Sequence, residues 1–184
     1  MSSANASVDL TLPVGQHDHV QGSLSAPIML VEYGDYQCPY CAKAVGVVQE
    51  IQNQYEEQLC YVFRHFPLTQ HAYAMRAATA AEAAAAQNEF WQMHYCLFSY
   101  QSDLSDEALL RYANGLELDM DQFRQDLNSS DELHRIQADI QSGIDSGVDR
   151  TPTFFINGVH YQGDTEITTL LKAIKEYAPN FREI

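Results

Sequence analysis

One stretch of this chain narrows its fold more than any other. Ile28-Met29-Leu30-Val31-Glu32-Tyr33 is an apolar run of strand length, broken by Gly34-Asp35-Tyr36-Gln37. Cys41, Val45, Val48, Ile51 and Tyr55 then recur at spacings of three and four, which is one stripe of a helix. Pro39 stands at the first helical position, where a missing N–H costs nothing. Leu59 to Phe66 reads as a second strand, halted by Pro67. The order is a βαβ unit with a Cys-x-x-Cys tetrad, Cys38-Pro39-Tyr40-Cys41, at the start of its helix.

From His71 to Val148 no strand signal appears. Met75 to Gln87 is Ala-rich and predicts a helix, and Phe90, Met93 and Leu97 mark a second. Ser105 opens a third, with Asp106 and Glu107 in its favourable first turn. Asp119/Gln122 and Ser129/Glu132 both have capping-box spacing, and a long helix is expected to end near Ser146 and Gly147. Strand character returns at Thr153-Phe154-Phe155-Ile156. Asn157-Gly158 predicts a hairpin turn into Val159-His160-Tyr161, and a last helix covers about 165–177. Residues 1–20 read as a polar lead-in with one short alternating piece, Val8 to Leu12. The expectation is an α/β sheet domain, residues 1–70 and 149–184, interrupted by an all-helical insertion at 71–148.

Composition excludes some partners. The formal charge is −15 with only 10 Lys and Arg in 184 residues, too few to neutralise phosphates or to hold an anionic membrane surface. Met1 to Pro13 lack a basic and apolar leader pattern, and no run of about 18 apolar residues exists. Ala77 to Ala86 is interrupted by Thr79 and Glu82 and reads as a buried helix. These features predict a cytoplasmic chain, or a periplasmic one whose leader has been removed. Four cysteines are too few for a disulfide scaffold at this length.

The tetrad carries the chemistry. Disulfide exchange needs a thiolate, and a thiol at a helix N-cap meets unpaired N–H groups and the positive end of the dipole. Cys38 is expected at that cap as the attacking thiol, with Cys41 one turn on, more buried, as the resolving thiol. The competing reading is half of a zinc site. That needs a second Cys-x-x-Cys or well-spaced histidines, and His17, His19, His65 and His71 lack the spacing. A third reading makes the dithiol a redox-sensing switch that controls partner binding. No Gly-rich phosphate loop is present, so no nucleotide, flavin or metal cofactor is expected.

With Cys38-Pro39-Tyr40-Cys41 after the strand Ile28–Tyr33, and Thr151-Pro152-Thr153-Phe154-Phe155-Ile156-Asn157-Gly158 near the end, residues 15–178 resemble the DsbA-like branch of the thioredoxin superfamily. The likeness is closest to short bacterial members with segments such as Val31-Glu32-Tyr33-Gly34-Asp35-Tyr36 and Phe63-Arg64-His65-Phe66-Pro67-Leu68. It implies a thioredoxin fold with a helical insertion and thiol–disulfide oxidoreductase activity on protein or small-molecule thiols, with a redox partner protein. It also implies a cis Thr151–Pro152 bond against the dithiol, substrate pairing at the Thr151 backbone, and substrate contacts at Pro39 and Tyr40.

Glu32 stands six positions before Cys38, where the resemblance implies proton transfer with the second thiol. From the residues alone, Glu32 is either a buried carboxylate with a raised pKa or a strand-end group reaching solvent. The inner pair is Pro-Tyr rather than Pro-His, so no imidazolium supports the thiolate. A potential more reducing than DsbA's, about −120 mV, is the expectation. Cys60 and Cys96 are either a second disulfide or, as favoured here, free buried thiols. Tyr36 and Tyr40 are expected as an exposed aromatic rim. Phe90, Trp91 and Met93 are expected to pack within the insertion, with a substrate-groove role as the alternative, and His71 and His94 to be surface or structural residues.

Overall fold

The computed structural model describes residues 9–178, with the backbone alone at 131 and 132. Five strands form one sheet: β1 (His19–Gln21), β2 (Ile28–Gly34), β3 (Leu59–His65), β4 (Thr153–Ile156) and β5 (Val159–Tyr161). Their order across the sheet is β1-β3-β2-β4-β5. Strands β2 and β3 are parallel, joined by the crossover helix α1 (Pro39–Tyr55), and every other pairing is antiparallel. The strand-length apolar runs are therefore the two central strands. β1 was not expected: three half-buried residues on an edge carry no readable period.

Between β3 and β4 lie α2 (Ala74–Ala85), α3 (Phe90–Ser99), α4 (Asp106–Gly115), α5 (Met120–Asp126) and α6 (Asp131–Asp145); α7 (Ile167–Tyr177) closes the described chain. Ser105 caps α4 through the Ala108 N–H, and Asp119 caps α5 through the N–H groups of Asp121 and Gln122. At α6 the cap position falls on Ser130, one residue after the Ser129 of the sequence reading, with no side-chain cap bond. The Asn157-Gly158 turn has φ of 49° and 83°, the left-handed pair that a two-residue hairpin requires. The alternating piece forms no strand in its described part; Leu10 donates instead to the Gly158 carbonyl, and Val8 lies outside the described residues.

The sheet is buried on both faces. Ile28, Leu30, Tyr61, Phe63, Phe154 and Ile156 pack with α1, α7 and the helices α2–α5. Val31, Tyr33, Cys60, Val62 and Phe155 face the other way, with Phe66, Val148 and Ile140 of α6. Two different cores thus meet at β2 and β3, and alternate residues along each strand enter one or the other.

Candidate functional site

The helix α1 begins as its sequence requires. Cys38 is the N-cap with extended backbone (φ −76°, ψ 120°), and Pro39 takes the first helical position. No acidic residue occupies the first turn, although the chain as a whole is strongly acidic. No carboxylate in that turn therefore opposes a thiolate there. Cys41 is fully buried and Cys38 is 4% exposed, while the Tyr40 ring between them is 63% exposed.

The two thiols are driven apart in acidity. The hydrogen bond from Cys41 is the largest influence on Cys38. Together with the Thr151 side chain and the backbone N–H groups of Cys41 and Tyr40 it outweighs burial and brings Cys38 down to about 5. Burial acts on Cys41 in the opposite sense, reinforced by the same thiol–thiol bond and by Glu32, and holds it well above the ordinary thiol value. The Cys38 thiol lies 3.4 Å from the Thr151 carbonyl oxygen, and the Thr151–Pro152 bond is cis. The Thr151 hydroxyl finds no hydrogen-bond partner in the thiol form and favours the thiolate. Tyr40 contributes its backbone N–H rather than a charge.

Glu32 points into the α1-side core at 2% exposure, so the solvent-reaching alternative is excluded. Burial raises its carboxyl to about 8, against the Tyr61 hydrogen bond and with the help of Cys38. Tyr61 Oη donates to Glu32 Oε2 at 2.7 Å from the neighbouring strand. A methyl group at Gly34 would come within 2.4 Å of the Phe63 ring and 3.3 Å of Glu32 Oε1, so glycine leaves room for both.

Other residues that hold this site were not anticipated. The buried Asp35 carboxylate accepts from the N–H groups of Gln37 and Leu68 and bonds His71 Nδ1, all between 2.7 and 2.8 Å. Its own N–H reaches the Cys41 sulfur at 3.5 Å. Gln101, from the loop after α3, gives its amide to the carbonyls of both Tyr36 and Cys38 at 2.8 Å. A glutamine 63 residues from Cys38 carries no sequence signal of this contact.

Two aromatic expectations need correction. Tyr36 is buried, not part of an exposed rim: its hydroxyl meets His94 Nδ1 at 3.1 Å and its ring packs on Phe63 and Phe98. Phe90 and Trp91 reach beyond the insertion: the Phe90 ring stacks on His19, the Trp91 indole donates to the Val20 carbonyl, and its ring lies 5.6 Å from that of Tyr61. His94 is buried, which keeps it neutral. All four cysteines, Cys60 and Cys96 included, are unbonded thiols.

Comparison with known proteins agrees with this architecture. The thioredoxin family profile matches residues 15–176. The chain belongs to that family. Among solved structures, this thioredoxin-family chain is similar to a thioredoxin-like oxidoreductase from Silicibacter pomeroyi DSS-3, with 25% identity and a TM-score of 0.80 over 91% of this chain and 95% of that one. It is also similar to alpha-DsbA1 of Wolbachia pipientis, with 27% identity and a TM-score of 0.79 over 95% and 97% of the two chains. The second of these neighbours carries a DsbA name.

Sequence relatives carry a different kind of name. The chain is 42% identical over 174 residues to Na(+)/H(+) antiporter NhaA 1 of Mycobacterium sp. (strain KMS), covering 91% of this chain and 28% of that protein. It is 45% identical to Na(+)/H(+) antiporter NhaA 3 of Salinispora tropica, covering 26% of it. The chain therefore spans about a quarter of those relatives' length. Among the described residues no helix is long and apolar enough to cross a membrane.

Proposed function

We propose that this thioredoxin-family chain is a DsbA-like thiol–disulfide oxidoreductase that works through the Cys38–Cys41 dithiol. The observation that carries the reading is the opposed acidity of two neighbouring thiols, Cys38 near 5 and Cys41 far higher. In the reducing direction the Cys38 thiolate attacks one sulfur of a substrate disulfide, and the other sulfur leaves as a thiolate. Cys41 then loses its proton and attacks Cys38 in the mixed disulfide. The second substrate thiolate is released and the Cys38–Cys41 disulfide forms. Two electrons pass from the dithiol to the substrate; the oxidising direction reverses each step.

Cys41 cannot attack as a buried thiol, so its proton needs an acceptor. Glu32 is the group for this: a buried carboxyl near 8 takes and returns a proton around neutral pH. The Thr151 backbone pairs with the substrate chain, and Pro152, Pro39 and the exposed Tyr40 ring line its path. Protein or small-molecule thiols and disulfides are the substrates.

The test is the equilibrium reduction potential of the Cys38–Cys41 pair together with turnover of insulin or glutathione. Rapid turnover that Cys38→Ser abolishes is expected. Cys41→Ser should instead accumulate the mixed disulfide. Slow cycling with an intact potential would mark the dithiol as a switch for partner binding, and undiminished activity in Cys38→Ser would end the proposal.

A further inference from the structure

We infer that His19, His65 and Glu82 form a binding site for one divalent cation of the zinc class. The three residues come from different elements: His19 opens β1, His65 ends β3 and Glu82 lies in α2. Their ligand atoms all lie within 4.8 Å of one another. Both Nε2 atoms stand 2.7 Å from the same oxygen, Glu82 Oε1. The side chains are 15%, 1% and 6% exposed for His19, His65 and Glu82.

The rings are already oriented. His19 stacks on Phe90 with centroids 3.4 Å apart, and His65 meets the edges or faces of Phe63, Phe90 and Tyr36 at 5.6–5.9 Å. A site held by packing need not be assembled by the metal. Glu82 sits between Ala81 and Ala83, which offer no competing polar side chain. Among the described residues one cation faces the site: Arg135 acts on His19, and its buried Nη2 has no hydrogen-bond partner. Arg135 pairs with Asp139 at 3.6 Å, and Asp139 accepts the His65 backbone N–H. The charge partners of Glu82 are thus the two imidazoles, and a dication there offsets a buried carboxylate more fully than two N–H donors do.

The donor set selects the metal. Two imidazoles and one carboxylate suit zinc with a fourth position open, whereas magnesium and calcium favour oxygen alone. Zinc takes the Nε2 lone pairs, so the proton that each ring shares with Glu82 moves to Nδ1 of that ring and Glu82 binds as the carboxylate. His65 Nδ1 is buried without a hydrogen-bond partner, so its N–H stays unpaired in the zinc-bound form, a cost that the metal bond has to exceed. Tetrahedral bonds of about 2.0–2.1 Å separate donors by about 3.3 Å, so the 2.7 Å contacts open by roughly 0.6 Å. His19, on the edge strand and partly exposed, is the side that yields and the route of entry. The bound cation would pin α2 to the sheet at β1 and β3.

This inference is independent of the dithiol chemistry and is tested with that chemistry silenced. Protein carrying the Cys38–Cys41 disulfide is freed of metal and titrated with Co(II) alone, followed by visible absorption, and then with Zn(II), followed by thermal unfolding. One-to-one binding is expected, with d–d bands but no thiolate charge-transfer band, and a higher melting temperature with Zn(II). Glu82→Gln and His19→Ala should each weaken Co(II) binding by roughly 10- to 100-fold or more. His19 lies at the edge, so its variant serves if Glu82→Gln does not fold. No saturable binding up to about millimolar Co(II), a thiolate charge-transfer band, or unweakened binding by the variants would overturn the assignment.

Discussion

Glu32 and Arg64 are buried ionisable residues on the paired strands β2 and β3, and they face opposite sides of one sheet. Arg64 is surrounded. Its guanidinium bonds both oxygens of Asp18, the Tyr33 hydroxyl and the carbonyls of Leu12 and Pro13. That set fixes the lead-in loop to the sheet and leaves the cation no reason to change. Glu32 has a phenol and no cation. The same depth of burial therefore yields a permanent charge in one core and a titrating group in the other. Incomplete compensation is what makes Glu32 fit to move a proton, and complete compensation is what makes Arg64 a staple.

The largest effect that would sharpen this contrast is on stability. Arg64→Met leaves Asp18 without its partner, and a loss of about 3–5 kcal/mol is expected in urea unfolding. A loss under about 1 kcal/mol would show that the guanidinium network is not the staple described.

Next in size is the pH dependence set by Glu32. Its folded pKa is raised, to about 8, so the folded state holds a proton that the unfolded chain releases above its ordinary value near 4.5. Stability therefore falls as pH rises from 5 to 8, by roughly 3 kcal/mol. Glu32→Gln should flatten that slope while slowing dithiol oxidation and reduction at neutral pH. Equal slopes in the two proteins would erase the difference between Glu32 and Arg64, and an unchanged pH–rate profile would remove the proton role.

Smaller still is the contribution of the single phenol. Tyr61→Phe removes the hydrogen bond that favours the ionised form, so the Glu32 midpoint should rise by about one unit or more, read by carboxyl carbon NMR. A midpoint that stays put means another donor replaces the hydroxyl.

The smallest expected change is at Cys38. Thiolate absorbance should titrate near 5 in the reduced protein, and Thr151→Val should raise that midpoint by about half a unit to one unit. An unshifted midpoint would leave the backbone N–H groups and Cys41 as the whole cause. Cys38 is acidic here without an imidazolium beside it. The expectation of a more reducing potential, which rested on Tyr40 replacing histidine, thus has a competing term, and the measured potential weighs the two.

Local features were legible because they depend on neighbours in sequence. Pro39 placed the start of α1 and therefore Cys38 at its cap. Asn157-Gly158 declared its own turn, and Ser105 and Asp119 their own caps. The runs 28–33 and 59–66 had only one way to bury both faces, as central strands. No such local rule governed β1, which is an edge of three residues, or Tyr36, whose burial depends on α3 arriving above it. Tertiary structure alone decided that Gln101 clamps the loop before Cys38, that Tyr61 meets Glu32, and that two histidines 46 positions apart share one carboxylate of α2. The physical reason is the same in each case. Spacing along the chain sets which residues share a helix face or a strand face, whereas the polar partners of a buried group are chosen by whichever element the crossover connections fold back against it.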